Sequence, residues 1–293
     1  MKRSLPGFLL PWIGLFLAAG CDTINPAEEI PGYIYVDSVA LETGPDQGVS
    51  SARFVDVWVS EGGSFRGTYE LPARIPLLTQ DEARIQINPG ILERGGNNRR
   101  LPYAVAASFD TSYALVPGRV DTLRPTVRYR ENAEFAFLEA FENPQVPAFR
   151  RAAESDPIGF RITDEESLNG RNLRAEVPPN GFFKIELFRY DQEVMNAQTV
   201  FLEMDMRNEE TVFLASDVRA LDEQGQELGG RESNEVGYFP STQWRKVYIN
   251  LTRDIRDFRR QGFTEWRLLV LMLNETRSEK VVQIDNLKVI YLP

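Results

Sequence analysis

Val55-Asp56-Val57-Trp58-Val59-Ser60-Glu61-Gly62-Gly63-Ser64-Phe65-Arg66-Gly67-Thr68-Tyr69-Glu70-Leu71 reads as two strands and the turn between them. Val55, Val57 and Val59 recur at every second position, as do Phe65, Gly67, Tyr69 and Leu71 against Arg66, Thr68 and Glu70. Side chains alternate across a strand, so each row marks one face of a sheet. Gly62 and Gly63 supply the backbone freedom that a hairpin turn requires. Trp58 reads as a core residue.

The same signals extend outward. Ala83, Ile85 and Ile87 alternate with Arg84 and Gln86; Asn88-Pro89-Gly90 is expected to break that strand, and Gly95-Gly96-Asn97-Asn98 marks a turn. Nothing between Tyr33 and about Arg130 has sustained helical periodicity, so residues 33–132 are expected to form a small β-sandwich; the region resembles the immunoglobulin-like or PEGA-like sandwiches of envelope proteins. Residues 133–293 repeat the pattern. Phe183, Ile185 and Leu187 form one row, Val200, Leu202, Met204 and Met206 a second, and Val247, Ile249 and Leu251 a third. Trp266 to Leu273 is apolar on both faces, as a central strand is, and the last strand runs from Val281 to Leu292. One helix is expected over Asp254–Arg260, acidic at its start, basic at its end and closed by Gly262. The fold class is all-β, a small N-terminal sandwich followed by a sandwich or jelly roll.

Composition narrows the chemistry. The chain has 293 residues, 33 Lys+Arg against 43 Asp+Glu and a net formal charge of −10. That excess argues against nucleic acid and against adsorption to anionic lipid. Histidine is absent, which removes Ser-His-Asp and Cys-His nucleophile systems and imidazole metal sites. Cys21 is the single cysteine, so no disulfide forms within the chain. Carboxylate chemistry, oxygen-ligand metals and binding remain.

Lys2 and Arg3, the apolar stretch Leu5 to Ala19 and then Gly20 have the order of a secretory signal, too short and too interrupted for a bilayer span. Ala18-Ala19-Gly20-Cys21 resembles the lipobox of bacterial lipoproteins. The resemblance implies cleavage of residues 1–20, lipidation of Cys21, and a tether over 21–32 that holds the domains at a lipid bilayer. The expected location is the Gram-negative envelope, at the outer membrane on its periplasmic or surface face. The acyl chains alone anchor the protein.

Phe137-Leu138-Glu139-Ala140-Phe141-Glu142-Asn143, Trp244-Arg245-Lys246-Val247-Tyr248-Ile249-Asn250-Leu251 and Ile284-Asp285-Asn286-Leu287-Lys288-Val289 together resemble three strands of the galactose-binding-like jelly rolls found in carbohydrate-binding modules. The resemblance covers about residues 137–293. It implies a structural calcium between first and last strands, with Glu142 and Asp285 as carboxylate donors and Glu139 nearby; the alternative is a solvated strand acid and a turn residue. It draws attention to rings on which a sugar would stack, namely Tyr238, Phe239, Trp244 and Tyr190. The alternative, favoured for large rings, is that Trp244 seals the core and the others pack around it.

Two carboxylates suffice for glycoside hydrolysis, and Asp164-Glu165-Glu166, Glu203/Asp205 and Glu209-Glu210 are the obvious sets. Glu203 and Asp205 share a strand face while Glu209 and Glu210 do not. In so acidic a chain such pairs read first as solvated surface. The expected function is non-enzymatic recognition of a glycan or partner protein near the membrane. A structural subunit of an outer-membrane or secretion complex is the alternative, and a carboxylate-dependent glycoside hydrolase the more remote one.

Overall fold

The computed structural model describes residues 29–78, 82–93, 99–143, 149–187 and 189–293, with residues 233–235 described by backbone alone. The expected leader, Cys21 and the turn expected at Gly95–Asn98 lie outside these residues. The N-terminal part forms β1 (Gly32–Val36), β2 (Ala40–Glu42), β3 (Asp56–Glu61), β4 (Ser64–Glu70), β5 (Ala73–Leu77), β6 (Glu82–Glu93), β7 (Arg99–Pro102), β8 (Phe109–Ala114), β9 (Val120–Leu123) and β10 (Thr126–Arg128). The C-terminal part begins with β11 (Glu134–Glu139), β12 (Phe149–Arg151), β13 (Phe160–Thr163), β14 (Asn172–Val177) and β15 (Phe182–Leu187). After helix α1 (Glu193–Asn196) come β16 (Thr199–Asn208), β17 (Val212–Leu221), β18 (Glu227–Tyr238) and β19 (Ser241–Asn250). Helix α2 (Thr252–Arg260), β20 (Glu265–Leu273) and β21 (Lys280–Leu292) complete the chain. Among the described residues no helix is long and apolar enough to cross a membrane.

The β3–β4 hairpin turns at the glycine pair, where Gly62 and Gly63 both take positive φ, at 55° and 83°. Val57 and Val59 face the core as expected. The upper part of β4 does not. A bulge between Val59 and Ser60 sets Phe65 opposite Ser60, so the ring joins the outer face of the sheet. A one-residue slip in a strand exchanges its two faces. Trp58 stands on that same outer face and is only partly buried, which corrects its reading as core.

Asn88-Pro89-Gly90 does not end its strand, because β6 continues to Glu93. β8 pairs with β6 only as far as Ile87, and β7 takes over at Gly90. Pro89 falls at that exchange of partners, where its missing N–H leaves no ladder bond unmade.

The C-terminal part is a jelly-roll sandwich. One sheet has the order β13-β14-β21-β16-β19, with β11 also on β21, and the facing sheet has the order β12-β15-β20-β17-β18. β20 is central, as its doubly apolar sequence requires. Leu202, Met204, Val247, Ile284, Val289, Trp266, Val270 and Met272 fill the space between the sheets. Each such side chain contributes about 1.5–3 kcal/mol by leaving water. The expected helix is present, starting two residues earlier than read, and Gly262 follows it at φ 90°.

The two outer faces of the sandwich have different fates. Phe201, Tyr248 and Ile290, on the outer face of the first sheet, belong to the core of the N-terminal part. The Tyr103 ring meets those of Phe201 and Tyr248 edge-on, each at 5.2 Å. A single parallel bridge, Tyr248 to Glu93, links this sheet to β6. Next to it lie Glu203, Asp205, Lys246 and Lys288, all with buried side chains. Lys288 donates to Val49 O at 2.8 Å, Ser51 joins Asp205 to Lys246, and Tyr129 donates to Glu203. The N-terminal part therefore packs on one face of the jelly roll; on the outer face of β12-β15-β20-β17-β18 the side chains range from buried (Lys184, Arg267, Leu269) to exposed (Leu273).

Candidate functional site

This outer face is divided along its length. Towards one end lies a charged network. Arg267 reaches Glu186 and Asp217, each at 2.6 Å, and Lys184 pairs with Glu154 and Glu232. In the middle Ala215, Leu269 and Leu271 form a small apolar cluster with Phe182 and Phe213. At the other end is a groove of about 630 Å³, lined by Phe213, Phe239, Leu273, Gly237, Glu210, Thr211, Glu275 and Thr276. That volume suits a small ligand.

Each wall of this groove follows from strand alternation and turn chemistry. Gly237 pairs with Phe213, and a Cβ on Gly237 would stand 3.2 Å from the Phe213 ring, so the glycine lets the ring lie across β18. Tyr238 pairs with Val212, is 2 % exposed and packs in the sandwich interior. Its successor Phe239 therefore points outward and is 76 % exposed. The backbone beneath Phe239 is held by buried Asn208, whose Nδ2 lies 2.7, 3.1 and 3.3 Å from the carbonyl oxygens of Glu210, Tyr238 and Phe239. Arg245 reinforces it, donating to Phe239 O at 2.6 Å and Asn208 Oδ1 at 2.7 Å. On the opposite rim Asn274 Nδ2 lies within 3.0 Å of the carbonyls of Val177, Pro178 and Ser278, while its Oδ1 accepts from Thr276. An exposed ring and an apolar wall, with hydroxyls and carboxylates at the rims, can stack a pyranose face and hydrogen-bond its hydroxyls.

Of the rings singled out in the sequence, only Phe239 reaches this groove. Tyr238 is core, which corrects its place among ligand-stacking residues. Trp244 is partly buried on the first sheet, and its indole N–H donates to Glu166 O at 2.8 Å. Tyr190 is on this outer face, but Arg219 and Arg267 lie over its ring at 4.3 and 4.4 Å and its hydroxyl donates to Asp217. Burial, then that carboxylate, push the Tyr190 phenol well above its usual range. Phe213, Gly237, Leu273 and the two asparagines were missed. Their one shared signal is local: Asn208-Glu209-Glu210-Thr211 and Asn274-Glu275-Thr276 are similar turns at strand ends.

The acid sets resolve as structure. Glu203 and Asp205 share a face, as read, but it is the one the N-terminal part packs on, and Lys246 and Lys288 neutralise them. Glu165 and Glu166 pair with Arg161, Arg174 and Arg207. Glu209 accepts from Val281 N, and Glu210 lines the groove.

Glu142 follows β11, where its carboxylate accepts from Arg171 N, and Asp285 lies in β21, which pairs with β11. Burial, then the charges of Asp205 and Glu142, push the Asp285 carboxyl up to about 7, against a 2.7 Å hydrogen bond from Asn286 N that favours the charged form. Asp285 Oδ2 is buried without a hydrogen-bond partner. That orphaned oxygen is of the kind a hard cation binds. Among the described residues no three acidic or cysteine side chains gather to hold one, so main-chain oxygens would have to complete the shell.

No family model and no curated protein matches this chain. Some solved structures are similar to part of it at low TM-scores. The CBM22-1 xylan-binding domain from Paenibacillus barcinonensis Xyn10C is 9% identical over 56% of this chain and 97% of its own, with a TM-score of 0.38. A family 30 carbohydrate-binding module is 15% identical over 56% of this chain and 90% of its own, with a TM-score of 0.40. The family 11 carbohydrate-binding module from Clostridium thermocellum, in complex with a β-1,3-1,4-mixed-linked tetrasaccharide, is 10% identical over 54% and 94%, with a TM-score of 0.36. Likeness of this size does not carry a ligand or a binding face across to this chain.

Proposed function

We propose that this chain is a non-catalytic envelope lipoprotein that holds a glycan in the Phe239 groove of its jelly roll. The observation that carries the reading is the position of that groove. It lies at the exposed end of the sandwich face opposite the N-terminal part, with Phe239 outward and both rims held by buried asparagines. The lipid anchor at Cys21 rests on the leader that precedes it, and a calcium held by Asp285 and Glu142 would be structural.

Calorimetric titration with neutral oligosaccharides chosen from a glycan array tests the groove. Phe239→Ala is expected to weaken binding about tenfold or more, the loss of one stacked ring, with unchanged thermal stability. An unchanged affinity would remove the groove from the binding site. A chain that binds no glycan but is retained on an envelope complex would replace recognition of sugar by the scaffold role.

A further inference from the structure

A second pair of rings stands on the outer face of the N-terminal sheet, away from the jelly-roll groove. Trp58 on β3 and Phe65 on β4 have centroids 5.8 Å apart and planes tilted by 33°, so they form a shallow aromatic strip. Phe65 is 60 % exposed.

The strip is built rather than incidental. Trp58 Nε1 donates to Asp56 Oδ1 at 3.0 Å, and Asp56 is fully buried. Arg100 holds the other oxygen of Asp56 at 3.1 Å and reaches Glu70 at 3.0 Å. A Cβ on Gly90 would lie 1.6 Å from Asp56 Oδ1 and 3.0 Å from Trp58 Nε1, so the indole edge rests on bare backbone. The indole N–H is thereby satisfied, and the ring stays partly exposed beside Phe65. The bulge at Val59/Ser60 brings Phe65 beside it instead of into the core.

The groups around the rings select the ligand. Thr68 and Asn88 pair directly with Trp58, and Ser60 pairs with Phe65 and Gln86, so all four side chains share the outer face. Gln86 Nε2 is fixed by Ser108 and Asp110, each at 3.2 Å. Two aromatic rings edged by hydroxyls and amides, with Asp110 and the Arg100–Glu70 ion pair at the margins, match a ligand with apolar flat faces and a rim of hydroxyls. A protein partner would bury a wider apolar patch than two rings provide. We infer that Trp58 and Phe65 form a second glycan-binding platform, for a neutral pyranose oligosaccharide, so that the chain binds saccharide at two places. Two weak sites on one chain raise the apparent affinity for a long polymer beyond either alone.

The experiment uses the full chain in detergent, titrated with β-1,4-linked glucohexaose and xylohexaose, following tryptophan fluorescence and heat. Trp58→Ala and Phe65→Ala are each expected to remove one class of sites, weakening it about tenfold or more. Phe239→Ala should leave that class intact, and Trp58→Phe should retain part of it. Phe65→Ala alters an exposed side chain, so its result does not depend on refolding of the core. Binding unaffected by either substitution yet abolished by Phe239→Ala would overturn the platform and leave the jelly-roll groove standing. Binding that ignores Phe239 but falls with Trp58 and Phe65 would support the platform and remove the groove. A parent chain that binds neither hexasaccharide overturns the inference.

Discussion

Asn208 and Asn274 hold the two rims of the jelly-roll groove by the same means. Each is buried, and each places its side-chain amide within hydrogen-bond reach of three backbone carbonyls. Those carbonyls lie at strand ends (Val177 and Tyr238) and in the turns just beyond them. The asparagines replace ladder bonds where the ladder ends.

Removing either amide takes a donor from three backbone carbonyls, of which Phe239 O keeps Arg245, Pro178 O keeps Gly181 N and Ser278 O keeps Thr276 Oγ1. Asn208→Ala and Asn274→Ala are each expected to cost about 2–3 kcal/mol of stability, read from urea denaturation. Asn208→Ala should also weaken glycan binding at temperatures where the protein remains folded, because Phe239 loses its fixed backbone. Unchanged binding would place the ligand elsewhere.

The face packed against the N-terminal part predicts a different loss. Lys288 is 1 % exposed and lies 3.5 Å from Glu203, which is fully buried. Lys288→Met leaves Glu203 with the more distant Lys246 at 3.9 Å and is expected to cost about 3 kcal/mol. A fragment of residues 133–293 alone would expose Phe201, Tyr248 and Ile290 together with these charges. It should aggregate, or unfold at lower denaturant than the whole chain. A fragment as stable as the whole would show that the two parts fold independently.

Asp285 gives the pH dependence. An acid whose folded pKa is raised loses stability as it ionises, because the folded state binds the proton more tightly than the unfolded chain does. In EDTA the folded state should therefore lose stability as pH rises from about 4 to about 7, and Asp285→Asn should flatten that slope. Millimolar calcium is expected to raise the melting temperature of the parent above neutral pH and to leave Asp285→Ala unmoved. A parent indifferent to calcium rules out the site.

Cys21 is tested by mass. The mature protein from membranes should begin at Cys21 and carry diacylglyceryl and acyl groups, and Cys21→Ser should remain unprocessed and unlipidated. An intact leader with a free thiol would end the envelope assignment.

Much of the fold was legible because it depends on neighbours two residues apart. The hairpin at Gly62-Gly63, the row from Val200 to Met206 and the central strand at Trp266 were all readable from alternation and turn residues. Pro89 misled, since its effect depends on which strand lies beside it. Phe65 misled because a bulge is set by pairing and is invisible in a single strand.

Local sequence determined the all-β class and the positions of most strands and turns, because periodicity and turn chemistry act over a few residues. Tertiary structure alone decided which aromatic rings meet water. Tyr238 and Phe239 are adjacent and similar, yet strand direction buries one and exposes the other. Trp58, expected in the core, lies partly exposed beside Phe65. Glu203 and Asp205, acids of a type usually solvated, are sealed beneath the N-terminal part. Burial is a property of what packs against a face, and that partner comes from strands far away in the chain.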